Sequence, residues 1–163
     1  LNLKDARGRQ VLHRLIRELD VDVFCCNTVP SRYRALGIDF VSATFTPPVV
    51  TLKLAWGPHL VGNPLTEVLH GGAVTTLLDA VSGASVYTKL RAPTPIATLD
   101  LRIDFLGRPP ARVDVFAKAE CYRVTRSVAF VRAEAWVEGE APFASSSSTF
   151  ALSTKGRAPG APS

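Results

Sequence analysis

The sequence lacks the features that mark several common classes of protein. No apolar run approaches the roughly 20 residues that a membrane-spanning helix needs, and no signal peptide is visible. There is no Gly-x-Ser-x-Gly elbow, no Walker loop, no Gly-x-Gly-x-x-Gly turn and no His-Glu-x-x-His pair. These absences argue against an α/β-hydrolase, a P-loop or dinucleotide-binding protein, and a zinc protease. We expect a soluble protein that does not contact a membrane.

Cysteine is scarce as well. The 163 residues contain three cysteines, of which Cys25 and Cys26 are adjacent and Cys121 stands alone. An odd number with a vicinal pair is a poor disulfide framework and indicates reduced thiols in a cytoplasmic protein. Their spacing is not that of a zinc site. We therefore expect no bound metal and no cofactor.

Acidic residues are outnumbered by basic ones. The net charge is +5 and the pI is near 9.4, with much of the excess in residues 4–17. A solvated basic surface explains this balance as well as a polyanionic ligand does. Because no helix-turn-helix, zinc-finger or RNA-recognition signature accompanies the charge, we do not expect nucleic acid as a partner. A phosphate-bearing substrate is the preferred functional interpretation.

The length predicts one domain with a segment on each side. Residues 3–19 carry apolar side chains at helical spacing with a basic opposite face, which predicts an N-terminal helical extension over residues 1–28. This extension could dock on the domain or bind a partner. The domain is expected over residues 29–152, and the polar tail 153–163 is expected to be disordered.

Residues 71–90 predict one long helix. Its apolar side should face a sheet and comprises Val74, Leu77, Leu78, Val81 and Ser85. Its other side is a stripe of small residues with one acid, made of Gly72, Thr76, Asp79 and Gly83. Asp79 is the only charged residue between His70 and Tyr87, whereas a solvent-facing side usually carries lysine and glutamate. We interpret the stripe as a helix-to-helix contact across a dimer.

Most of the remaining chain alternates with a period of two and predicts strands. In residues 96–105 the odd positions from Leu99 to Phe105 are apolar, while the even positions from Thr98 to Asp104 are polar. Further strands are predicted over 38–45, 49–56, 113–121, 129–137 and 143–152. Alternating strands joined by short turns favour an antiparallel sheet with one buried face. The predicted class is α+β, with an antiparallel sheet wrapped around a central helix and an extra N-terminal helix.

The centre of the chain resembles a known family. Asn63 precedes His70-Gly71-Gly72, which opens the helix, and Asp79 follows Gly72 by seven residues. With the strand IATLDLRIDFLGRP after the helix, this order resembles the hotdog-fold acyl-CoA thioesterases, most closely the PaaI-like branch with its HGG…D motif. The resemblance covers roughly residues 29–152 and not the first 28 residues or the tail.

The resemblance implies a role for each residue of the motif. Asp79 would be the general base or nucleophile, and the backbone N–H of Gly71 would bind the thioester oxygen as an oxyanion hole. Asn63 would hold the water or the carbonyl, and Thr98 would assist the acid. His70 would shape the turn.

Each motif residue also has a purely structural interpretation. The glycines could merely allow a tight turn, and Asp79 could be a structural hydrogen-bonding residue. Asn63 before Pro64 is an ordinary turn pair. Thr98 is simply a good strand residue.

Substrate binding is expected to involve Gly72 and three arginines. In the family, coenzyme A phosphates lie near loops that follow the later strands. Arg108, Arg123 and Arg126 lie at predicted strand ends and are the candidates for those phosphates. Each of them could equally be an ordinary surface arginine.

The expected function is hydrolysis of an acyl-CoA to free CoA and a carboxylic acid. Gly71 and Asp79 are eight residues apart, which is about 12 Å along one helix, so one chain cannot supply both groups to one carbonyl. We therefore expect a homodimer, assembling further to a tetramer, with Asn63, His70 and Gly71 from one subunit and Asp79 and Thr98 from the other. The alternative is a non-catalytic hotdog module that binds acyl-CoA as a sensor or partner subunit.

Overall fold

One long helix lies against an antiparallel sheet. The computed structural model describes residues 36–92 and 94–153. The six-stranded sheet has the order β1-β2-β6-β7-β8-β5, and a two-stranded hairpin, β3-β4, precedes the helix. The strands are β1 Ile38–Phe45, β2 Pro48–Leu54, β3 Val61–Asn63, β4 Val68–Leu69, β5 Ile96–Phe105, β6 Val115–Val124, β7 Val128–Trp136 and β8 Ala144–Leu152, and the helix α1 is Gly71–Leu90.

Helix α1 buries its apolar side in the sheet, as its periodicity predicts. Val74, Leu77, Leu78 and Val81 are at most 1% exposed. At its end, Arg91 adopts the left-handed conformation that commonly stops a helix. The sheet that receives α1 presents many alanines on its buried face, including Ala117, Ala119, Ala129 and Ala135. Small side chains there let the helix approach closely, and the result is the predicted hotdog architecture.

Strand β5 is an edge strand and contains a bulge. The alternation of apolar and polar residues in its sequence does not predict this bulge. Strand β5 pairs only with β8 among the described strands, and its register shifts between Thr98 and Asp100. Thr98 lies opposite Phe150, and Leu101 lies opposite Ser148, both of which are buried on the helix side. Opposed residues share a face, so Thr98 joins Leu101 on the inner face of β5. Leu99, the bulged residue, is 60% exposed.

The β3-β4 hairpin begins in a segment that the sequence pattern predicts only as a loop. Glycine and proline interrupt this segment, GPHLVGNPLTE, which contains β3 and ends just before β4, and the two strands span only three and two residues. Gly62 on β3 is required by packing, because a Cβ there would lie 3.1 Å from the Cα of His70. The hairpin therefore brings β3 directly against the start of α1.

One detail of the predicted small-residue stripe is wrong. Gly83 is buried within its own chain, and a Cβ at this position would contact Ile96 and Phe150 at 3.7 and 3.8 Å. The stripe available to a second chain is thus shortened to the first half of α1, where Gly72 is exposed and Thr76 and Asp79 are half-buried.

The predicted N-terminal helix, the first part of the predicted domain and nearly all of the predicted disordered tail lie outside the described residues. In the described part of the chain, no helix combines the length and the apolar character that crossing a membrane requires.

Candidate active site

The start of α1 holds one backbone N–H that has no partner in the described structure. His70 is the N-cap, and its ring nitrogen Nδ1 accepts the N–H of Gly72 at 2.9 Å. The carbonyl of His70 accepts the N–H groups of Ala73 and Val74. Three of the first four donors of the helix are therefore satisfied by one residue. The N–H of Gly71, an exposed residue, is left without such a partner at the positive end of the helix dipole.

The two glycines at the helix start have different physical reasons to be glycine. A Cβ on Gly72 would lie 2.9 Å from Nδ1 of His70, so a side chain there would push the capping ring away. A Cβ on Gly71 would meet only the ring tip of Phe105, at an ordinary 3.7 Å. Packing within the chain therefore accounts for Gly72 and leaves Gly71 unexplained. An open approach to the Gly71 N–H is what a bound ligand would need.

Asp79 and Thr98 meet within one chain. The hydroxyl of Thr98 donates to Oδ1 of Asp79 across 3.0 Å, between the middle of α1 and the start of β5. The other carboxylate oxygen, Oδ2, has no hydrogen-bond partner in the described part of the chain. One oxygen is therefore fixed in orientation while the other stays available to a water or a substrate.

Asn63 lies in the hairpin beside the helix start. Its side-chain oxygen Oδ1 accepts the N–H of Leu65 at 2.9 Å, and its carbonyl accepts the N–H groups of Thr66 and Glu67. The side-chain oxygen of Asn63 therefore has the structural role expected of a turn residue. Its amide NH₂ donates to no described residue and remains free to bind a carbonyl or a water.

An ion pair holds the hairpin loop in place. Arg112 donates two hydrogen bonds of 2.6 Å to the Glu67 carboxylate, and the Trp56 indole N–H donates to the Glu67 carbonyl at 3.0 Å. The hydrogen bonds from Arg112 lower the pKa of the Glu67 carboxyl and so keep it ionised. Nearby, Asp114 accepts the backbone N–H of Trp56 at 2.8 Å and pairs with Lys53 at 3.2 Å.

The three candidate arginines lie at two different ends of the sheet. Arg108 follows β5 at the end where Phe105 pairs with Ala144, which is the end that holds Gly71. Arg123 and Arg126 lie at the β6-β7 turn, at the end where β5 begins. Strands of nine or ten residues put about 30 Å between these ends. All three are exposed, and one chain cannot direct all of them to a single phosphate cluster.

Phe105 lies beside the candidate site, although the sequence did not single it out. It lies opposite the buried Ala144 and so shares the inner face of β5 with Leu101 and Ile103. Its ring tip faces Gly71, yet the residue is 51% exposed. The sequence places Phe105 correctly in the apolar row of β5. It gives no signal that this position meets the start of the helix.

Other nucleophiles and metal sites are poorly supported. The Cys121 thiol is buried, and desolvation raises its pKa to about 11, so it is protonated at neutral pH. Ser146 and Ser148 have buried hydroxyls on the inner face of β8, and neither lies beside a base. Among residues 36–92 and 94–153 no three metal-binding side chains gather at one point.

The thioesterase superfamily matches residues 66–144, which include the helix start, Asp79, the bulged strand β5 and Phe105. Asn63 lies just before the matched range. A solved protein from Pseudomonas aeruginosa is 34% identical, covers 86% of this chain and 98% of its own, and superposes with a TM-score of 0.66. This chain belongs to the thioesterase superfamily.

Two further proteins are similar to parts of this chain. A candidate esterase of Halobacterium salinarum is 39% identical over 62 residues, which is 37% of this chain and 40% of that protein. The matched region thus spans less than half the length of that curated relative. The phenylacetic acid degradation protein PaaI of Thermus thermophilus, solved as a mutant, is 23% identical over 74% of this chain and 97% of its own, with a TM-score of 0.63. The likeness to PaaI is one of fold.

Proposed function

We propose that the protein hydrolyses acyl-CoA thioesters in a site shared between two subunits. The observation that carries this proposal is the pairing of two features on one helix. The unpartnered N–H of Gly71 marks one end, and Asp79, oriented by Thr98, lies two turns further on. A thioesterase needs both of these: a donor for the carbonyl oxygen and a base for water.

The Gly71 N–H would polarise the carbonyl. A thioester oxygen bound there at about 2.9 Å gains negative charge as a tetrahedral centre forms. The dipole of the 20-residue helix stabilises that charge. His70 supports this role indirectly, since its ring occupies the Gly72 N–H and its carbonyl occupies the next two.

Asp79 would act on water. Its free oxygen Oδ2 takes a proton from a water molecule while the water oxygen forms a bond to the carbonyl carbon. The tetrahedral intermediate then collapses, the carbon–sulfur bond breaks, and the sulfur of CoA leaves with the proton that Asp79 returns. The products are a carboxylic acid and CoA, and no other reactant is consumed.

A second copy of the chain would complete each site. Gly71 and Asp79 are about 12 Å apart along α1, whereas a base acts within about 3 Å or through one water. The edge strand β5 favours association, because it presents unpaired backbone groups and exposed apolar side chains at Leu99, Phe105 and Leu106. Two copies related by a two-fold axis perpendicular to β5, so that their edge strands run antiparallel, would bring the Asp79–Thr98 end of one chain toward the Gly71 end of the other.

Arg108 is the best candidate for the CoA phosphates at the Gly71 end. It is exposed three residues beyond Phe105, in the loop that leaves β5. Arg123 and Arg126 could reach a phosphate only if the partner subunit brings their end of the sheet to that position.

The alternative is a hotdog module that binds acyl-CoA without hydrolysis. Asp79 argues against it, because a carboxylate beside a thioester does nothing for binding alone.

The test is an assay for free thiol with a panel of aryl, short-chain and long-chain acyl-CoAs. We expect turnover of at least one substrate, and we expect Asp79→Asn to lower its kcat by about 100-fold or more, as for a general base. An Asn variant with wild-type kcat contradicts the role of Asp79. Tight binding of acyl-CoA without turnover by the wild-type protein favours the binding module.

A further inference from the structure

We propose that Phe105 is a specificity-determining residue that contacts the acyl group at the carbon next to the thioester carbonyl. This inference rests on the proposed function, because it assumes that the carbonyl binds at the Gly71 N–H. The predicted discrimination is between acyl chains that do and do not carry a substituent on the α-carbon.

The position of the ring follows from one distance in the structure. The Cζ of Phe105 lies 3.7 Å from the place where a Cβ on Gly71 would be. That place is about 2.5 Å from the nitrogen of Gly71 by standard bond geometry, so the ring tip is within about 6 Å of the nitrogen. A carbonyl oxygen accepting the N–H at about 2.9 Å puts the adjacent carbons about 4–5 Å from the nitrogen. When the acyl group leaves the carbonyl on the side of Phe105, a substituent on one of those carbons reaches van der Waals contact with the ring.

The neighbouring residues indicate that the acyl side of the thioester faces Phe105. Leu101 and Ile103 follow Phe105 along the inner face of β5, and both are half-buried and apolar. An acyl chain lying along this row would bury apolar surface. In the opposite direction the polypeptide leads from Phe105 to the exposed Arg108. The positive charge of Arg108 suits the phosphates of CoA and not an acyl chain.

The exposure of Phe105 supports a contact from outside its own chain. The ring lies on the inner face of β5, where neighbours such as Ala144 and Phe150 are fully buried, yet Phe105 remains 51% exposed. Leu106, the next residue along the chain, is also exposed, at 67%. It provides a matched control, because it is an apolar residue at the same edge of the sheet without the recorded approach to Gly71.

The experiment compares isomeric acyl groups that differ only in branching at the α-carbon. Butyryl-CoA and isobutyryl-CoA form one pair, and 3-phenylpropionyl-CoA and 2-phenylpropionyl-CoA form another. The kcat/KM ratio of branched to unbranched substrate is measured for the wild type, Phe105→Ala, Phe105→Leu and Leu106→Ala. One methyl group in a pocket changes such ratios by about 10-fold or more, so we expect Phe105→Ala to raise the ratio by that factor and Phe105→Leu by less. Leu106→Ala can lower both rates by weakening the association of the subunits, but it should leave their ratio unchanged.

Binding measurements separate this inference from the proposed function. Dissociation constants of the same pairs are measured by calorimetry with Asp79→Asn protein, with and without Phe105→Ala, so no turnover is needed. A shift of the branched-to-unbranched ratio in Phe105→Ala supports the inference even if the wild type hydrolyses nothing. A ratio that stays within twofold in a folded Phe105→Ala protein, or that shifts equally in Leu106→Ala, overturns it. Failure of the Asp79→Asn protein to bind any of the four thioesters also overturns it.

Discussion

Thr98 donates a hydrogen bond to Asp79 across 3.0 Å. Its hydroxyl does so from the inner face of β5, whereas the sequence alternation groups Thr98 with the polar residues of the outer face. The bulge at Leu99 moves Thr98 onto the same face as Leu101, opposite the buried Phe150. Without the extra residue the hydroxyl would point to the other side of the sheet, and Asp79 would have no described partner. The orientation of the proposed base therefore depends on an irregularity of the strand.

Removing the Thr98 hydroxyl should weaken catalysis. Thr98→Val keeps the shape of the side chain and loses the donor to a charged group, an interaction worth about 1.5–3 kcal/mol. We expect kcat to fall about 10-fold, with KM little changed. Thr98→Ser keeps a hydroxyl and should retain most of the activity. Equal kcat values for Thr98→Val and the wild type would show that the hydrogen bond has no part in turnover.

The two glycines of the HGG motif should respond differently to alanine. Gly71→Ala meets no clash, so the melting temperature should be unchanged or raised, while kcat/KM falls about 10-fold or more because the methyl group crowds the carbonyl site. Gly72→Ala displaces the capping ring of His70 and should lower the melting temperature. Thermal melts and thiol-release assays on both variants test this. The opposite pattern would mean that Gly71 is the structural glycine.

A shared site predicts that two inactive proteins restore activity when mixed. Asp79→Asn and Gly71→Val homodimers should both be inactive. After complete subunit exchange at equal amounts, about half of the dimers are mixed, and each holds one site free of both changes, which gives about a quarter of wild-type activity. Native mass spectrometry verifies the exchange. A mixture that exchanges and stays inactive places both groups in one chain.

The arginines should contribute only to binding of the nucleotide part of the substrate. Arg108→Ala should raise KM for acyl-CoA more than for the matching pantetheine thioester, which lacks the nucleotide phosphates, and the difference should shrink at high salt. Arg123→Ala with Arg126→Ala should show the same selectivity if the partner subunit brings them to the site. Equal changes for both substrates would assign the phosphates to other residues.

The stability of the fold should depend on the ionisation of Asp114. The N–H of Trp56 and, secondarily, Lys53 lower the pKa of this carboxyl. Its contribution is therefore present above the unfolded-state pKa of about 4 and is lost as the pH falls through the lowered folded-state pKa. We expect Asp114→Asn to reduce the free energy of unfolding by about 1 kcal/mol at pH 7, after allowance for its solvent exposure, and by little near pH 2.

Urea titrations at several pH values measure this dependence. Asp39→Asn is the control, because Asp39 is exposed on β1 and forms no ion pair with another described residue. It should show no such pH-dependent difference. A loss in Asp114→Asn that is the same at both pH values would mean that charge is not involved.

The elements that the sequence predicted well are those with long, unbroken periodicity. Helix α1 ends at Leu90 as predicted, because apolar spacing over many residues reports directly on a buried face, and β1 and β5 also have their predicted bounds. The short strands β3 and β4 were missed because two or three residues carry no period. The bulge at Leu99 was missed because it is defined by pairing with β8, about 50 residues later in the chain.

The candidate site divides in the same way. The residues of the motif could be picked out because they are close in sequence and chemically unusual for a helix. Phe105 could not, since its contact with Gly71 joins positions 34 residues apart through the fold of the edge strand. Likewise the sequence showed that α1 has a stripe of small residues, which suggested close approach by another backbone. Only the packing of Gly83 on Ile96 and Phe150 shows where that stripe ends.

Helix α1 runs without a break from Gly71 to Leu90, so Gly71 and Asp79 belong to one rigid body. In the proposed dimer these two residues serve different catalytic centres. A shift of the helix that shortens the hydrogen bond from Gly71 to one substrate must also move Asp79 relative to the other substrate. The two centres would therefore be mechanically linked, and occupancy of the first would alter the affinity or the rate of the second.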